Sequence, residues 1–173
     1  MAEEKQEFKF PTEMVDLPSG GKLYPEEHPL RDGKIEIKYM TAKEEDILTS
    51  QNLIKKGVVI DRLLDSLIVS KGVITDDLFV GDKNAVMIAS RILAYGGDYT
   101  VEVTDPNTGE SKQNTFDLTQ CQFKELPDDV DYSNNEFKLE LPVSKVKITF
   151  KLLTGKDEND IASELKSGKL KIE

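Results

Sequence analysis

The chain has 173 residues, 38% of them hydrophobic and 32% charged, with no tryptophan and a net charge of −10. That length leaves space for one core plus an appendage rather than two full cores, and the composition is that of a folded protein with a large wetted surface. The negative field repels phosphate backbones, and one cysteine (Cys121) beside one histidine (His28) excludes an internal disulfide and a zinc site within the chain, so neither nucleic acid nor a cofactor is expected.

In chain order, residues 1–7 are polar and expected to be flexible, and the acids of Met1-Ala2-Glu3-Glu4-Lys5 stand where a secretion signal carries bases. No apolar run approaches the roughly 20 residues that cross a bilayer. Synthesis in the cytoplasm, with no membrane partner, is the expectation. Phe8-Lys9-Phe10 and Val15-Asp16-Leu17 are short alternating patterns interrupted by Pro11 and Pro18 and read as edge strands or extended arms. The segment from Leu17 to Pro25 is dense in turn formers, and Asp32-Gly33 marks a tight turn before Lys34–Tyr39, a strand with Ile35, Ile37 and Tyr39 on one face.

Thr41-Ala42-Lys43-Glu44 is a capping box, so a helix is predicted from there to about Lys56, ended by Gly57. A second helix over Val58–Val69 carries the best core stripe, with Ile60, Leu63, Leu64, Leu67 and Ile68 at helical spacing. A third runs from Asp82, read as its cap, through Ala94 to Tyr95-Gly96-Gly97. Asp98–Thr104 and Lys112–Leu118 bracket Asp105-Pro106-Asn107-Thr108-Gly109-Glu110 and form a β-hairpin, and Pro127–Asn135 reads as a linker.

The two ends of the chain echo one another. Glu7–Phe10 pairs with Glu136–Leu139, Leu17-Pro18 with Leu141-Pro142, Lys34–Tyr39 with Lys145–Phe150, and Met40–Glu45 with Leu153–Glu158. The shared unit is strand, turn, strand, capped helix. Two such units can pair into one sheet or dock on different neighbours, and unpaired edges invite strand addition.

The fold class is therefore α+β: terminal strand-turn-strand-helix units, a possible duplication, flank a helical middle and a hairpin. The expected organisation is one domain over 1–173, with the first unit at 8–56, the helical middle at 57–97, the hairpin at 98–119 and the second unit at 136–173.

Chemistry is poorly supported. Gly20-Gly21 and Gly96-Gly97 lack phosphate-loop spacing, and Asp105–Gly109 lacks the alternating oxygens and distant glutamate of a calcium loop. Glu44-Glu45-Asp46 and Asp157-Glu158-Asn159-Asp160 occupy first helical turns, where the helix dipole favours carboxylates. A Cys121–His28 nucleophilic pair has no supporting motif. The aromatic side chains are scattered without interleaved bases, so they read as core and edge packing.

Over most of its length the chain resembles the baseplate hub proteins of T-even-type contractile-tailed phages. The resemblance is carried by Val15-Asp16-Leu17-Pro18-Ser19 with Gly21 and Leu23-Tyr24-Pro25, by Gly33–Ile37 and by Met40–Leu48. Ile60–Leu64, Tyr95-Gly96 and Leu141–Phe150 with Leu152–Glu158 extend it. Relatives carry a Cys-Pro-x-Cys-Gly knuckle where this chain has Asp105–Gly109, so no zinc is carried over. They also continue past the final helix, so this chain reads as shortened at Lys169–Glu173.

The resemblance implies a non-enzymatic structural or assembly role. The protein would be built in the host cytoplasm and bound to other tail and baseplate proteins, either retained in the virion baseplate or acting as a chaperone that leaves. Leu17, Pro18, Ser19, Gly21, Leu23, Tyr24 and Pro25 are the partner-binding candidates, because a loop fixed by Pro and Gly loses little entropy on docking. A carboxylate-dependent hydrolase, needing two acids with raised pKa in an apolar pocket, is the rival from another class. An adaptor that binds peptides along an open strand edge is the third reading.

Overall fold

The computed structural model describes residues 10–124 and 126–168. The expected flexible segment 1–7, the Phe8-Lys9 part of the first strand and the tail Lys169–Glu173 lie outside the described residues. Strands β1 (Thr12–Asp16) and β2 (Lys34–Lys38) pair antiparallel with Val15 opposite Ile35. Alternation puts Val15, Ile35 and Ile37 on one face, where none is more than 9% exposed.

Against that face lie helices α3 (Val59–Leu67) and α4 (Val80–Tyr95), while α1 (Ala42–Thr49) and α2 (Gln51–Lys56) pack on α3. The α3 stripe is buried at Leu63, Leu64 and Leu67, as its spacing requires. Leu64 and Val86 meet Ile35, Ile37, Leu30, Leu78 and Phe79 in one cluster. Each such aliphatic side chain contributes about 1.5–3 kcal/mol by leaving water. All the buried apolar side chains among the described residues fall between Val15 and Val86.

Two helix boundaries differ from expectation. The predicted first helix breaks at Ser50, whose ψ of 105° is extended. Thr49 turns its hydroxyl back to the Glu45 carbonyl at 3.0 Å, the local competition that makes Thr and Ser poor helix interiors. The third helix starts earlier: Phe79 is its N-cap, and Asp82 sits inside the first turn, fully buried.

Beyond α4, β3 (Asp98–Thr104) and β4 (Ser111–Asp117) form the expected hairpin. Its turn is held by Asp105, which accepts from the Asn107 N–H at 2.7 Å, and by Gly109 at φ +72°. Further along, β5 (Phe137–Glu140) pairs with β6 (Lys147–Phe150), and α5 (Gly155–Lys166) follows. Among the described residues the three strand pairs are separate two-stranded sheets, and the terminal units do not share one sheet.

The internal echo is structural. Asp16 faces Lys34 in the first unit, and Glu140 faces Lys147 in the second. The register thus matches Lys34 with Lys147, where the sequence comparison had placed Lys145, and the same offset then carries through to the caps Thr41 and Thr154. Each cap closes a capping box, with Glu44 and Asp157 respectively. Even the cap's ion pair is repeated: Lys38–Glu44 at 2.7 Å and Lys151–Asp157 at 2.6 Å. The second unit docks where Phe79 bridges Thr154 and the Gly155 N–H donates to the Leu78 carbonyl at 2.9 Å. A Cβ at Gly155 would stand 2.7 Å from the Thr75 carbonyl oxygen, so the helix start rests directly on backbone.

Candidate functional site

The candidate loop leaves β1 at Leu17 and returns at Gly33, where the Leu17 N–H donates to the Gly33 carbonyl at 2.8 Å. Gly21 has φ +78°, and a Cβ there would lie 2.1 Å from the Arg31 carbonyl oxygen, so conformation and space both demand glycine. Arg31 holds the other side of the turn, donating to the Tyr24 carbonyl at 2.8 Å.

Tyr24 pins the loop to the helices. Its ring stacks on His28 with centroids 4.8 Å apart and meets Phe79 edge-on at 5.2 Å. Its hydroxyl donates to Asp82 at 2.8 Å, and the other Asp82 oxygen accepts from the Ser19 N–H at 2.9 Å. Burial and then the adjacent Asp82 carboxylate push the Tyr24 phenol well above its usual range, so it stays protonated and donating. The burial of Asp82 at the start of α4 is thus explained by two donors from a loop far away in sequence.

The structure divides the seven candidate residues. Leu17, Ser19, Gly21 and Tyr24 are buried and hold the loop in shape, Pro18 and Leu23 are half-buried, and Pro25 is exposed. Shallow depressions of about 450 and 190 Å³ flank Pro18 and Ser19, bounded by Lys124 and Leu126. Lys22 ties the loop to the following segment through Asp128 at 2.6 Å.

Of the carboxylates singled out by sequence, Glu44, Asp157 and Glu158 are paired with lysines in the structure. Glu44 is fully buried. Burial pushes its carboxyl up, but hydrogen bonds from Lys38, Ser66 and Thr41 outweigh that and hold it at about 2. Asp157 is held at about 2 first by Lys151 and then by the Thr154 N–H. Both move away from the raised values that a general acid uses. Among the described residues no group of three or more His, Cys, Asp or Glu could hold a metal ion. His28 accepts from the Leu30 N–H at 3.2 Å, and Cys121 is exposed.

Sequence reasoning missed two surfaces. A groove of about 370 Å³ lies between α3, α4 and the hairpin root, lined by Met40, Leu63, Met87, Ile88 and Tyr99. Arg91 is its one charged side chain, stacked over Tyr95 and Tyr99 at 4.9 and 5.8 Å. An arginine does not give up its proton, so Arg91 brings the groove a fixed positive charge rather than an acid or a base. The second surface is apolar side chains left exposed on strands: Tyr99, Val103 and Phe116 on the hairpin, Leu139 and Phe150 on β5–β6. Strand alternation is the signal that would have found these residues, but only the arrangement of elements shows that nothing described covers them.

Comparison with known proteins gives a family match over residues 9–167, to a family described as T4 bacteriophage base plate protein. No curated protein and no solved structure matches the chain.

Proposed function

Given that this chain belongs to the T4 bacteriophage base plate protein family, we propose that it is a structural subunit of the baseplate hub, working by protein–protein contact. The observation that carries this reading is the apolar strand surface. Five large apolar side chains on two short sheets are each at least 41% exposed, a surface that marks contact sites more often than it decorates a lone protein. The loop 17–25 adds a second docking element, through Pro18, Leu23 and Pro25. Its buried members keep that surface rigid before it meets a partner, which lowers the entropy lost on binding. The acidic net charge opposes direct contact with the phage genome.

Quantitative mass spectrometry of purified virions tests the proposal. Peptides of this chain at a fixed copy number per particle are expected. Their absence from virions, with presence in assembly intermediates, would instead mark an assembly chaperone.

A further inference from the structure

The repeat supplies its own comparison. In the first unit Val15, Ile35 and Ile37 are buried beneath the helices. By register their counterparts are Leu139, Ile148 and Phe150, aligned on one face of β5–β6 with Phe137. There Leu139 is 49% and Phe150 44% exposed, and Val143 in the connecting turn is 93% exposed. The second unit therefore presents the face that the first unit buries.

The hairpin has an equivalent face. Tyr99 lies opposite Phe116, Val101 opposite Asn114 and Val103 opposite Lys112. The reverse face is polar, with Thr100 bonded to Thr115 and Thr104 to Ser111 across the strands. No strand of one sheet pairs with a strand of the other among the described residues.

Charge separates the two faces. Residues 98–117 carry five carboxylates and one lysine, while residues 136–151 carry four lysines and two glutamates in a chain of net charge −10. Apart from Lys112 these charges lie on the reverse faces, strand ends and tips, where they steer approach without being stripped of water. Like faces would bring like charges together, whereas unlike faces attract.

We propose that copies of this protein associate head to tail, the apolar face of hairpin β3–β4 in one copy packing on the apolar face of β5–β6 in the next. Two short sheets stack face to face at about 10 Å, as in a sandwich, with their polar sides outward. Such a heterologous contact closes into a ring or extends as a filament, according to its rotation. Each face is only two strands wide, which places the contact among small interfaces and its affinity in roughly the micromolar range. The inference rests on geometry and charge alone and stands apart from the baseplate reading.

Sedimentation equilibrium of the full chain between about 1 and 200 µM, a span that brackets micromolar affinity, tests it. The mass is expected to climb past that of a dimer as concentration rises. Phe116→Lys blocks the hairpin face and Leu139→Glu blocks the β5–β6 face, so each variant alone should remain monomeric. Mixed together, they should form a one-to-one dimer and nothing larger, because each retains the face that the other needs. A misfolded variant could not complement in this way. A wild-type chain that stays monomeric throughout overturns the proposal and leaves the faces to other baseplate proteins. Self-association that ignores both variants, or a mixture that does not pair, overturns it equally.

Discussion

Lys38–Glu44 and Lys151–Asp157 are one ion pair built twice, in two different dielectric settings. The Glu44 side chain is fully buried, whereas that of Asp157 is 23% exposed beside a lysine that is 55% exposed. Removing one partner of a buried pair strands the other charge and costs about 3–5 kcal/mol, while an exposed pair contributes about 0–1 kcal/mol. Glu44→Gln is therefore expected to lower the urea midpoint strongly, and Asp157→Asn only slightly. Equal losses would show that burial is not what separates the two pairs. The same carboxylate sets an acid limit. Its folded value of about 2 lies below the ordinary 4.5, so its contribution is complete above about 4.5 and fades as the pH falls toward 2. Wild type should lose melting temperature steeply between about pH 4.5 and pH 2, and Glu44→Gln should lose less over the same interval. At Tyr24, replacement by Phe deprives buried Asp82 of a donor and is expected to cost about 1–3 kcal/mol in chemical denaturation.

At the scale of elements, the sequence was most legible where the determinants are local. The Thr41–Glu44 capping box, the α3 stripe, the Gly57 stop and the Asp105–Gly109 turn depend on residues close to one another in the chain, and each appears as read. Asp82 was misread as a cap because the groups that occupy it, Ser19 and Tyr24, lie far off in the chain. Ser50 was missed because a capped apolar pattern conceals a break set by weak helix formers. The candidate loop was legible as a rigid Gly/Pro turn, yet which of its residues face inward depended on α4 and could not be read locally. Thr41→Ala tests the cap directly: a loss of about 1 kcal/mol is expected in equilibrium unfolding. An unchanged midpoint would mean that α1 starts without help from its cap.

Across the whole molecule, buried apolar mass is concentrated between Val15 and Val86, and the hairpin and second unit extend from it. Hydrogen exchange should accordingly find the slowest amides in β2, α3 and α4, with β5 and β6 exchanging through smaller openings. Uniform protection across all of these segments would contradict that ranking. Lys83 joins the parts, reaching Asp61 of α3 at 2.8 Å and Glu158 of α5 at 3.1 Å. Burial pushes its ammonium down, but the bonds to those two carboxylates prevail and hold its pKa above the ordinary lysine value. Gly155 lies at the same joint, its missing side chain filled by the Thr75 carbonyl. One methyl group added there would act as a wedge, prying the C-terminal arm from the trunk while the trunk kept its own cohesion. A single codon could thus convert a braced bracket into a hinged one.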